Sequence, residues 1–450
     1  MVQSADTSSA PQANRMQIDY LAIGKLKPSE TALRKQSKQL IRKLADSIAT
    51  YGMVLPLLID QQDMLIHGHG LLEALKHLGW TEVPVVRASH LDPARRQALS
   101  IALNRLGELG SWDEKNLATE LKSLSELDLD FSLETTGFTM AEIDLKIEGL
   151  NDGDDDLADM LPDGVVGPAV TKLGDLWLLG DHRLYVGSAQ EAASYEVLLA
   201  GECAAQINTD PPYNIPINGF VSGLGKTKHG EFVEFSGEKS PEEFGLFLRT
   251  LFQRLAAHAA NGALLYVCMD WRHAEDILAA ARSNALTLMN ICVWVKPNAG
   301  MGSLYRSQHE LVFVFKKGQD PHQNNIQLGR FGRNRSNVWP YAAVLGFGRE
   351  GDEGNLNLLH PTPKPVRMIA DAILDTSKRS DIILDPFLGS GTTLIATQRV
   401  GRRCFGMELD PFYADCIIRR WQAFTGEKAI HAESGYSFDQ RTTVHRKMPA

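Results

Sequence analysis

The chain has 450 residues, of which 44% are hydrophobic and 22% are charged, and its formal net charge is -9. Such a length is too great for one compact core and predicts two or three domains. No run of about 18 apolar residues occurs, which excludes a membrane-spanning helix, and the net negative charge argues against a protein covered by nucleic acid over its whole surface while allowing a local basic groove.

The N-terminal residues are polar and lack the apolar core of a signal peptide, so residues 1–16 are predicted to form a flexible tail. Five cysteines occur, an odd number, and no two of them have the CxxC spacing of a zinc site. These features predict reduced, buried thiols in a cytoplasmic protein. The cysteines are Cys203, Cys268, Cys292, Cys404 and Cys416.

Residues 17–110 alternate between strand-like and helical patterns. Apolar residues recur at helical spacing over 37–51, where Gly52 ends the pattern, and a second amphipathic helix covers 70–78. The alternation predicts a small α/β or α+β module. Short strand-like runs lie at 18–26, 54–60, 64–67 and 83–86.

The next segment, 111–150, is helical and charged but has no residues of evident chemical function, so we predict a helical connector. Residues 151–163 hold six aspartates and no lysine or arginine. Like charges repel each other and resist burial, which predicts an acidic linker over 151–170. A solvated surface loop is the alternative interpretation.

Strands and helices alternate over residues 171–430, which predicts a parallel or mixed sheet with helices on both faces. The last residues, 431–450, are predicted to be a C-terminal tail. Strands are predicted at 204–208, 263–269, 291–295, 311–315, 382–384 and 404–407, and helices at 241–260, 272–283, 365–377, 391–400 and 411–424.

The first chemical motif is Asp210-Pro211-Pro212-Tyr213, directly after the predicted strand 204–208. Ligands bind at the carboxyl ends of strands in open α/β sheets. An exocyclic base amine is a poor nucleophile because its lone pair is delocalised, and the Asp210 carboxylate and Pro211 carbonyl can accept its two N–H groups. The prolines hold these acceptors in place, and Tyr213 offers a stacking face to a flipped base. A plain turn is the alternative.

A second motif, Asp385 to Thr393, lies between a predicted strand and a predicted helix. Its glycines, Gly389 and Gly391, allow a ligand to approach the backbone closely. The next strand ends in Glu408, whose carboxylate suits the two hydroxyls of a ribose. A third glycine and a lysine of the phosphate-binding type are both missing, so the pattern favours a nucleoside such as S-adenosylmethionine. A purely structural turn is the alternative.

Residues 171–424 resemble the N4/N6-amino DNA methyltransferase family. The first motif matches the family's catalytic DPPY motif and the second matches its cofactor loop, in the β order of motifs. The resemblance implies the α/β class with a Rossmann-like S-adenosylmethionine-dependent sheet beside a smaller N-terminal α+β domain, base flipping, direct methyl transfer and no metal. Further similarity lies in 174–183, 187–188, 294–298, 308–310 and 360–365.

The resemblance also implies which residues form the site. An aspartate at the head of the catalytic motif favours adenine over cytosine in this family, so the expected reaction is methylation of N6 of adenine in duplex DNA. Catalysis is expected from Asp210, Pro211, Pro212 and Tyr213, and cofactor binding from Asp210, Lys364, Asp385, Phe387, Gly389, Ser390, Gly391, Thr392 and Glu408.

An insert at about 316–359 occupies the family's usual position for target recognition. Basic side chains bind phosphates or guanine edges, and amide side chains read adenine edges. A polar loop without a role in recognition is the alternative. The residues expected to contact DNA are Lys316, Lys317, Arg330, Arg333 and Arg335, together with Lys226 and Lys228 after the catalytic loop.

Residues 17–110 resemble the ParB/sulfiredoxin-like N-terminal domain through the stretch 65–79. In active relatives an arginine of this motif helps to hold a nucleotide phosphate, whereas Leu71 and Leu72 stand here. Leucine offers neither charge nor hydrogen bonds, which argues against nucleotide hydrolysis. His69 at a helix start can contact a phosphate or simply pack. We expect the domain to dock DNA or a protein partner.

Three alternatives stay open on the sequence alone. They are methylation of N4 of cytosine, a methylase-fold DNA-binding or partition-type protein without activity, and methylation of RNA or a small amine. The intact DPPY motif and glycine loop argue against an inactive protein, and the basic insert argues against the third reading. The expected partner is double-stranded DNA rather than a membrane, and a homodimer is compatible with the sequence.

Overall fold

The computed structural model describes residues 16–27, 35–151, 168–214, 239–296, 304–326, 328, 335–341 and 364–447. The chain divides into two compact units, residues 1–150 and 151–450, and each is described by itself. Within the described ranges, no helix combines the length and the apolar character needed to cross a membrane. Apart from Asn151, the aspartate-rich stretch 151–163 lies outside the described residues.

Four strands and three helices make up the first part of the N-terminal unit. They are β1 (Ile18–Ala22), α1 (Lys38–Tyr51), β2 (Leu57–Ile59), β3 (Leu65–His67), α2 (His69–His77), β4 (Glu82–Arg87) and α3 (Pro93–Leu106). The strands form one sheet in the order β1-β4-β2-β3, in which β2 and β4 are parallel and the other pairs antiparallel. Its core joins the sheet to α1 and α2 through Ala45, Ile48, Leu57, Ile59, Leu72, Leu75, Val83 and Val85.

Local signals set the ends of α1 as the sequence predicts. The Ser37 side chain accepts a hydrogen bond from the Leu40 N–H, which caps the first turn. Gly52 follows the last helical residue with φ of 78°, a backbone conformation that glycine adopts without strain. The amphipathic pattern of 37–51 therefore becomes a helix with capped ends.

A separate helical layer follows in the same unit. It contains α4 (Glu114–Ser125) and α5 (Met140–Glu148), and Leu121, Leu133 and Ile143 form its small core. Thr139 and Glu142 make a reciprocal capping box at the start of α5. These helices thus pack on each other rather than forming a single extended connector.

The C-terminal unit is built on a ten-stranded sheet in the order β11-β9-β10-β8-β7-β12-β13-β6-β5-β14. The central strands β8, β7, β12, β13 and β6 are parallel, and β10 lies antiparallel between β8 and β9. The strands are β5 (Leu176–Leu179), β6 (His182–Val186), β7 (Ala204–Thr209), β8 (Ala259–Met269), β9 (Leu286–Val295), β10 (His309–Lys317), β11 (Val338–Trp339), β12 (Ile382–Asp385), β13 (Arg403–Glu408) and β14 (Ile430–His431).

Helices cover both faces of this sheet. Successive side chains on a strand point to opposite faces, and on β7 the Gln206 amide donates to the Ala372 carbonyl of α9 while Ile207 joins the core that contains α7. The predicted α/β class is therefore confirmed. The helices are α6 (Ala192–Leu199), α7 (Pro241–His258), α8 (Ala274–Ser283), α9 (Val366–Thr376), α10 (Thr392–Arg399), α11 (Pro411–Thr425) and α12 (Phe438–Lys447).

The segment predicted to be a C-terminal tail continues this fold. β14 pairs with β5 at the sheet edge, and α12 follows. The physical reason is Phe438, which is fully buried and packs edge-on against Trp177 with ring centroids 5.6 Å apart. One large apolar side chain thus fixes an otherwise polar helix to the sheet.

Candidate active site

The two motif loops leave the sheet side by side. β7 and β12 are parallel neighbours, with Leu384 in register with Ile207, so both strands end at the same edge. Asp210 directly follows β7 and Asp385 is the last residue of β12. Both carboxylates line one cavity, and the structure therefore brings the two motifs together.

Polar and apolar residues together line this cavity. Among the residues predicted for the site, those that line it are Asp210, Lys364, Asp385, Phe387, Gly389, Ser390 and Thr392. Mostly apolar residues complete the lining, namely Tyr266, Cys268, Val312, Trp339, Met368, Ile369 and Ala372. Asn208 adds a buried amide whose Nδ2 has no hydrogen-bond partner within the described part of the chain. The lining of the cavity therefore includes a hydrogen-bond donor that a ligand could use.

A cluster of charged side chains surrounds Asp210. The Lys364 ammonium contacts the Asp210 carboxylate and lies 2.8 Å from Glu310 Oε1. On the far side of Glu310, Lys296 Nζ lies 3.0 Å from Oε2. The Tyr213 hydroxyl lies 2.5 Å from Asp210 Oδ1 and 2.6 Å from Glu310 Oε1. Two carboxylates, two ammonium groups and one hydroxyl thus form a single network.

Burial and neighbouring charges shift the pKa values of the two carboxylates in opposite directions. Burial raises the pKa of Asp210 above its ordinary value despite the nearby Lys364, and the charge of Glu310 adds to the rise. Burial would also raise the pKa of Glu310, but Lys364 and Lys296 outweigh it and hold that pKa at about 2. Because such pairs titrate together, we conclude that Glu310 is the firmly ionised partner and Asp210 is the one that exchanges a proton more readily.

One further interpretation of the cluster is a metal site. Asp210, Cys268 and Glu310 each offer a ligand atom, and these atoms lie within 4.8 Å of one another. However, the ammonium group of Lys364 contacts both carboxylates. The positive charge that a metal ion would bring is therefore already supplied by a side chain.

The second motif forms a tight turn from β12 into α10. Gly391 is the N-cap of α10 with φ of 83°, and a Cβ there would lie 3.3 Å from Ile417, so both conformation and space favour glycine. The Asp385 carboxylate accepts the Phe387 N–H at 3.0 Å. The buried Arg420 guanidinium donates to the Ser390 carbonyl at 2.9 Å. The loop is thus held from inside the protein.

Glu408 stands at the end of β13, beside this turn. Its carboxylate accepts the Gly389 N–H and the Asp410 N–H, both at 2.9 Å. Burial raises the pKa of Glu408 to about 7 against the effect of those two N–H groups, and burial raises the pKa of Asp385 to about 6. Both acids therefore change charge close to neutral pH.

Lys316 and Lys317, predicted to contact DNA, lie at the opposite edge of the sheet from Asp210. They end β10, whereas Glu310 begins it, and six residues of a strand span roughly 20 Å. Lys317 Nζ contacts the Ala259 carbonyl near the start of β8. The antiparallel direction of β10 thus separates both lysines from Asp210, and their contact with DNA stays a prediction.

Arg335 was also predicted to contact DNA, and the structure instead places it in an intramolecular ion pair. Its Nε lies 3.0 Å from the buried Asp375 carboxylate and its Nη1 lies 3.3 Å from Asp371, both on α9. The guanidinium also packs over the Trp339 ring. Its charge is therefore paired inside the fold, and its contact with DNA stays a prediction. Lys226, Lys228, Arg330 and Arg333 lie outside the described residues.

Two members of the charged cluster were not predicted as site residues. Glu310 and Lys296 belong to stretches, 308–310 and 294–298, whose resemblance to family motifs gave no role. Arg420 was missed as well. A signal for Glu310 was present, because a glutamate at the start of an apolar strand is unusual unless it has a partner.

In the N-terminal unit, the ParB-like stretch forms β3, a tight turn and α2. Gly68 has φ of 102° just before α2. Leu72 is buried in the core and Leu71 packs against it. His69 begins the helix, and burial lowers the pKa of its imidazole. The leucines that replace the phosphate-binding arginine thus serve packing.

Comparison with known proteins gives three matches along the chain. The DNA methylase family model matches residues 205–419, the ParB N-terminal domain model matches 7–104, and the ParB-methyltransferase HTH domain model matches 115–173. The last match covers most of the segment to which the sequence patterns alone gave no function. It includes α4 and α5.

One relative is the type II methyltransferase M2.MboI of Moraxella bovis, which is 30% identical over 229 residues, 49% of this chain and 81% of that protein. The solved M1.HpyAVI-SAM complex is 19% identical and covers 53% of this chain and 98% of that chain, with a TM-score of 0.38. The PvuII DNA methyltransferase, described as cytosine-N4-specific, is 13% identical and covers 64% and 96%, with a TM-score of 0.41. On the extent of the match to M2.MboI and the family model, this chain belongs to the N6/N4 DNA methylase family and carries ParB N-terminal and ParB-methyltransferase HTH domains ahead of its methylase domain.

Proposed function

We propose that this DNA methylase transfers the methyl group of S-adenosylmethionine to N6 of an adenine flipped out of duplex DNA. The observation that carries the proposal is the shared cavity, which is lined both by Asp210 and by Gly389 of the β12–α10 glycine turn. An acceptor for the base amine and a loop suited to a nucleoside thus line the same cavity. The choice of adenine rests on the aspartate that begins the catalytic motif.

The side chains that line the cavity fit S-adenosylmethionine in chemistry. Asn208 offers a buried donor without a partner in the described part of the chain, which suits the cofactor's carboxylate. Asp385 and Asp210 supply negative charge for its ammonium and sulfonium groups. Glu408, beside the glycine turn, is the proposed acceptor of the ribose hydroxyls. When bound, the cofactor supplies an electrophilic methyl group.

The chain's own residues prepare the amine. The Asp210 carboxylate and the Pro211 carbonyl accept its two N–H groups, which localises the nitrogen lone pair toward the methyl donor. The ring of Tyr213 offers a face on which the flipped base can stack. After transfer the nitrogen holds one proton too many, and Asp210, with its raised pKa, is the nearest group able to take it.

The N-terminal ParB domain is proposed to dock DNA or a protein partner rather than to hydrolyse a nucleotide. Leu72 is buried in the domain core at the place where active relatives have a phosphate-binding arginine. A leucine packed there cannot stabilise the charge of a nucleotide phosphate. The domain is therefore expected to contribute to substrate binding and not to the methyl-transfer step.

Incubation of duplex DNA with the full chain and S-adenosylmethionine, followed by mass spectrometry of the nucleosides, tests the proposal. We expect N6-methyladenine and no other methylated nucleoside. Heat-inactivated chain is the control. The appearance of N4-methylcytosine alone would replace adenine by cytosine as the target, and the absence of methylation on any DNA would reject the enzymatic function.

Glu408→Gln is expected to weaken the affinity for S-adenosylmethionine roughly 10- to 100-fold, the effect of losing one or two hydrogen bonds to a charged group. The affinity of the wild-type chain should rise as the pH increases through about 7, because the Glu408 carboxyl then loses its proton and becomes a full acceptor. In Glu408→Gln this rise should flatten. Calorimetric titrations at several pH values measure both effects.

The matched control for this experiment is Glu427→Gln, since Glu427 is an exposed residue after α11. Its affinity and pH dependence should equal those of the wild type. An unchanged cofactor affinity in Glu408→Gln would show that Glu408 does not contact the ribose. In that case the proposed position of the cofactor would rest on the glycine turn without Glu408.

A further inference from the structure

Glu310 has three partners and no role in the reaction described so far. It begins β10, and only 8% of it is exposed. Its Oε1 lies 2.6 Å from the Tyr213 hydroxyl and 2.8 Å from Lys364 Nζ, and its Oε2 lies 3.0 Å from Lys296 Nζ. A carboxylate is costly to bury, so its presence beside the catalytic aspartate calls for a physical explanation.

The Tyr213 hydroxyl shows what Glu310 competes for. The hydroxyl is within hydrogen-bond distance of Asp210 Oδ1 and of Glu310 Oε1, but it has one proton and donates to one carboxylate at a time. Lys364 contacts both carboxylates at once, since an ammonium group has three N–H donors. The two carboxylates therefore compete for the Tyr213 proton and not for the ammonium.

The proposed reaction needs an Asp210 carboxylate with free lone pairs. Its oxygens must accept an N–H group of the base, and a hydroxyl that donates to Oδ1 takes up lone-pair capacity there while the ammonium already occupies part of Oδ2. We propose that Glu310 is a positioning residue that draws the Tyr213 hydroxyl toward itself and so leaves Oδ1 of Asp210 open to the target amine. This inference rests on the proposed function.

Glu310→Gln tests the inference. The neutral amide attracts the Tyr213 hydroxyl less strongly, so the hydroxyl donates to Asp210 instead. We expect the kcat of methyl transfer to fall roughly 100-fold, the lower end of the effect of losing one preorganised polar group in an active site. The affinity for S-adenosylmethionine should change less than about threefold, because the lost contact lies on the side of the base.

The pH profile separates this role from a merely structural one. The charged or titratable groups that face Asp210 are Lys364, Glu310, Tyr213, Cys268 and Asp385, and the negative charge of Glu310 disfavours ionisation of Asp210. Without that charge Asp210 ionises at lower pH, so the acid limb of the kcat profile should move to lower pH in Glu310→Gln. Glu310→Asp keeps the charge and should return the limb toward its wild-type position.

Two further variants sharpen the experiment. If the Tyr213 hydroxyl blocks Asp210 in Glu310→Gln, then adding Tyr213→Phe should recover part of the lost kcat, because phenylalanine keeps the ring without the hydroxyl. The matched control is Glu202→Gln, which removes an ion-paired carboxylate from Arg183 and Arg403 before the start of β7. Its kcat profile should not shift.

A readout without turnover keeps the inference separate from the proposed function. Infrared spectroscopy of chain labelled with ¹³C-carboxyl aspartate, assigned by subtraction of Asp210→Asn, follows the titration of Asp210 directly. We expect a lower midpoint in Glu310→Gln than in the wild type. An unchanged Asp210 midpoint or an unchanged acid limb would overturn the inference, whereas a wild-type chain that methylates no DNA would reject the proposed function alone.

Discussion

Asp210→Ala is expected to reduce methyl transfer by at least about 10³-fold, since it removes the group that both accepts the amine N–H and takes up the proton. The affinity for S-adenosylmethionine should stay within a few fold of the wild-type value, because most of the cavity wall remains. Lys364 keeps its contact with Glu310 at 2.8 Å, so the variant does not leave a buried ammonium unpaired. Single-turnover transfer of a tritiated methyl group measures the rate, and calorimetry measures the affinity.

Two companion variants show whether this loss comes from chemistry. Asp210→Asn keeps the shape of the side chain but can neither take up the proton nor accept hydrogen bonds as a charged group, so it should be nearly as slow as Asp210→Ala. Asp381→Ala removes an aspartate at the opposite end of β12 from Asp385 and should transfer at the wild-type rate. Transfer by Asp210→Ala at a near wild-type rate would contradict the role given to Asp210.

Lys364→Met should destabilise the methylase unit by about 3 kcal/mol, the lower end of the range for removing one partner of a buried ion pair. The lower end applies because Asp210 keeps 26% of its side chain exposed. The loss of the ammonium leaves the Asp210 and Glu310 carboxylates facing each other across the Tyr213 hydroxyl. Chemical denaturation followed by tryptophan fluorescence measures the effect, and methyl transfer should be lost as well.

The difference in the free energy of unfolding between Lys364→Met and the wild type should become smaller as the pH falls. In the wild type the pKa of Glu310 is held at about 2, below its ordinary value. Glu310 therefore contributes stability above its unfolded-state pKa, and this contribution disappears as the pH falls through the folded value. Lys316→Met, at the far end of β10, is the control and should stay near wild type. A Lys364→Met chain of wild-type stability would contradict the network described around Asp210.

The fold of the C-terminal unit could be predicted because its central strands and helices have clear periodic patterns. Strands predicted at 204–208 and 382–384 appear as β7 and β12, and the helix predicted at 411–424 appears as α11. The pairs β5–β6 and β5–β14 were harder to predict because their strands are short. For α12, a single buried residue, Phe438, carries the attachment, and no periodic pattern reveals it.

The site likewise contains some residues that the sequence predicts and others that only the structure reveals. Asp210 and Asp385 could be predicted because each lies in a local motif directly after a strand. Glu310 takes its role from the antiparallel pairing that sets it opposite Trp294 and brings it to Tyr213, 97 residues away in the chain. Such pairing depends on the order and direction of strands, which a local pattern does not contain.

The basic residues show the limit of composition as a guide. Arg335 lies in a stretch rich in arginine and amide residues, which favoured DNA contact. Its partners, Asp371 and Asp375, come 36 and 40 residues later in the chain. Only the packing of α9 beside β11 reveals that the charge of Arg335 is already neutralised.

A crystal structure of the full chain with bound S-adenosylhomocysteine would locate the methyl donor relative to the acceptor of the amine. We expect the ligand to fill the cavity at the ends of β7 and β12, with its sulfur facing the Asp210 carboxylate and its ribose hydroxyls on Glu408. A ligand bound elsewhere on the chain, or one whose sulfur points away from Asp210, would contradict this expectation.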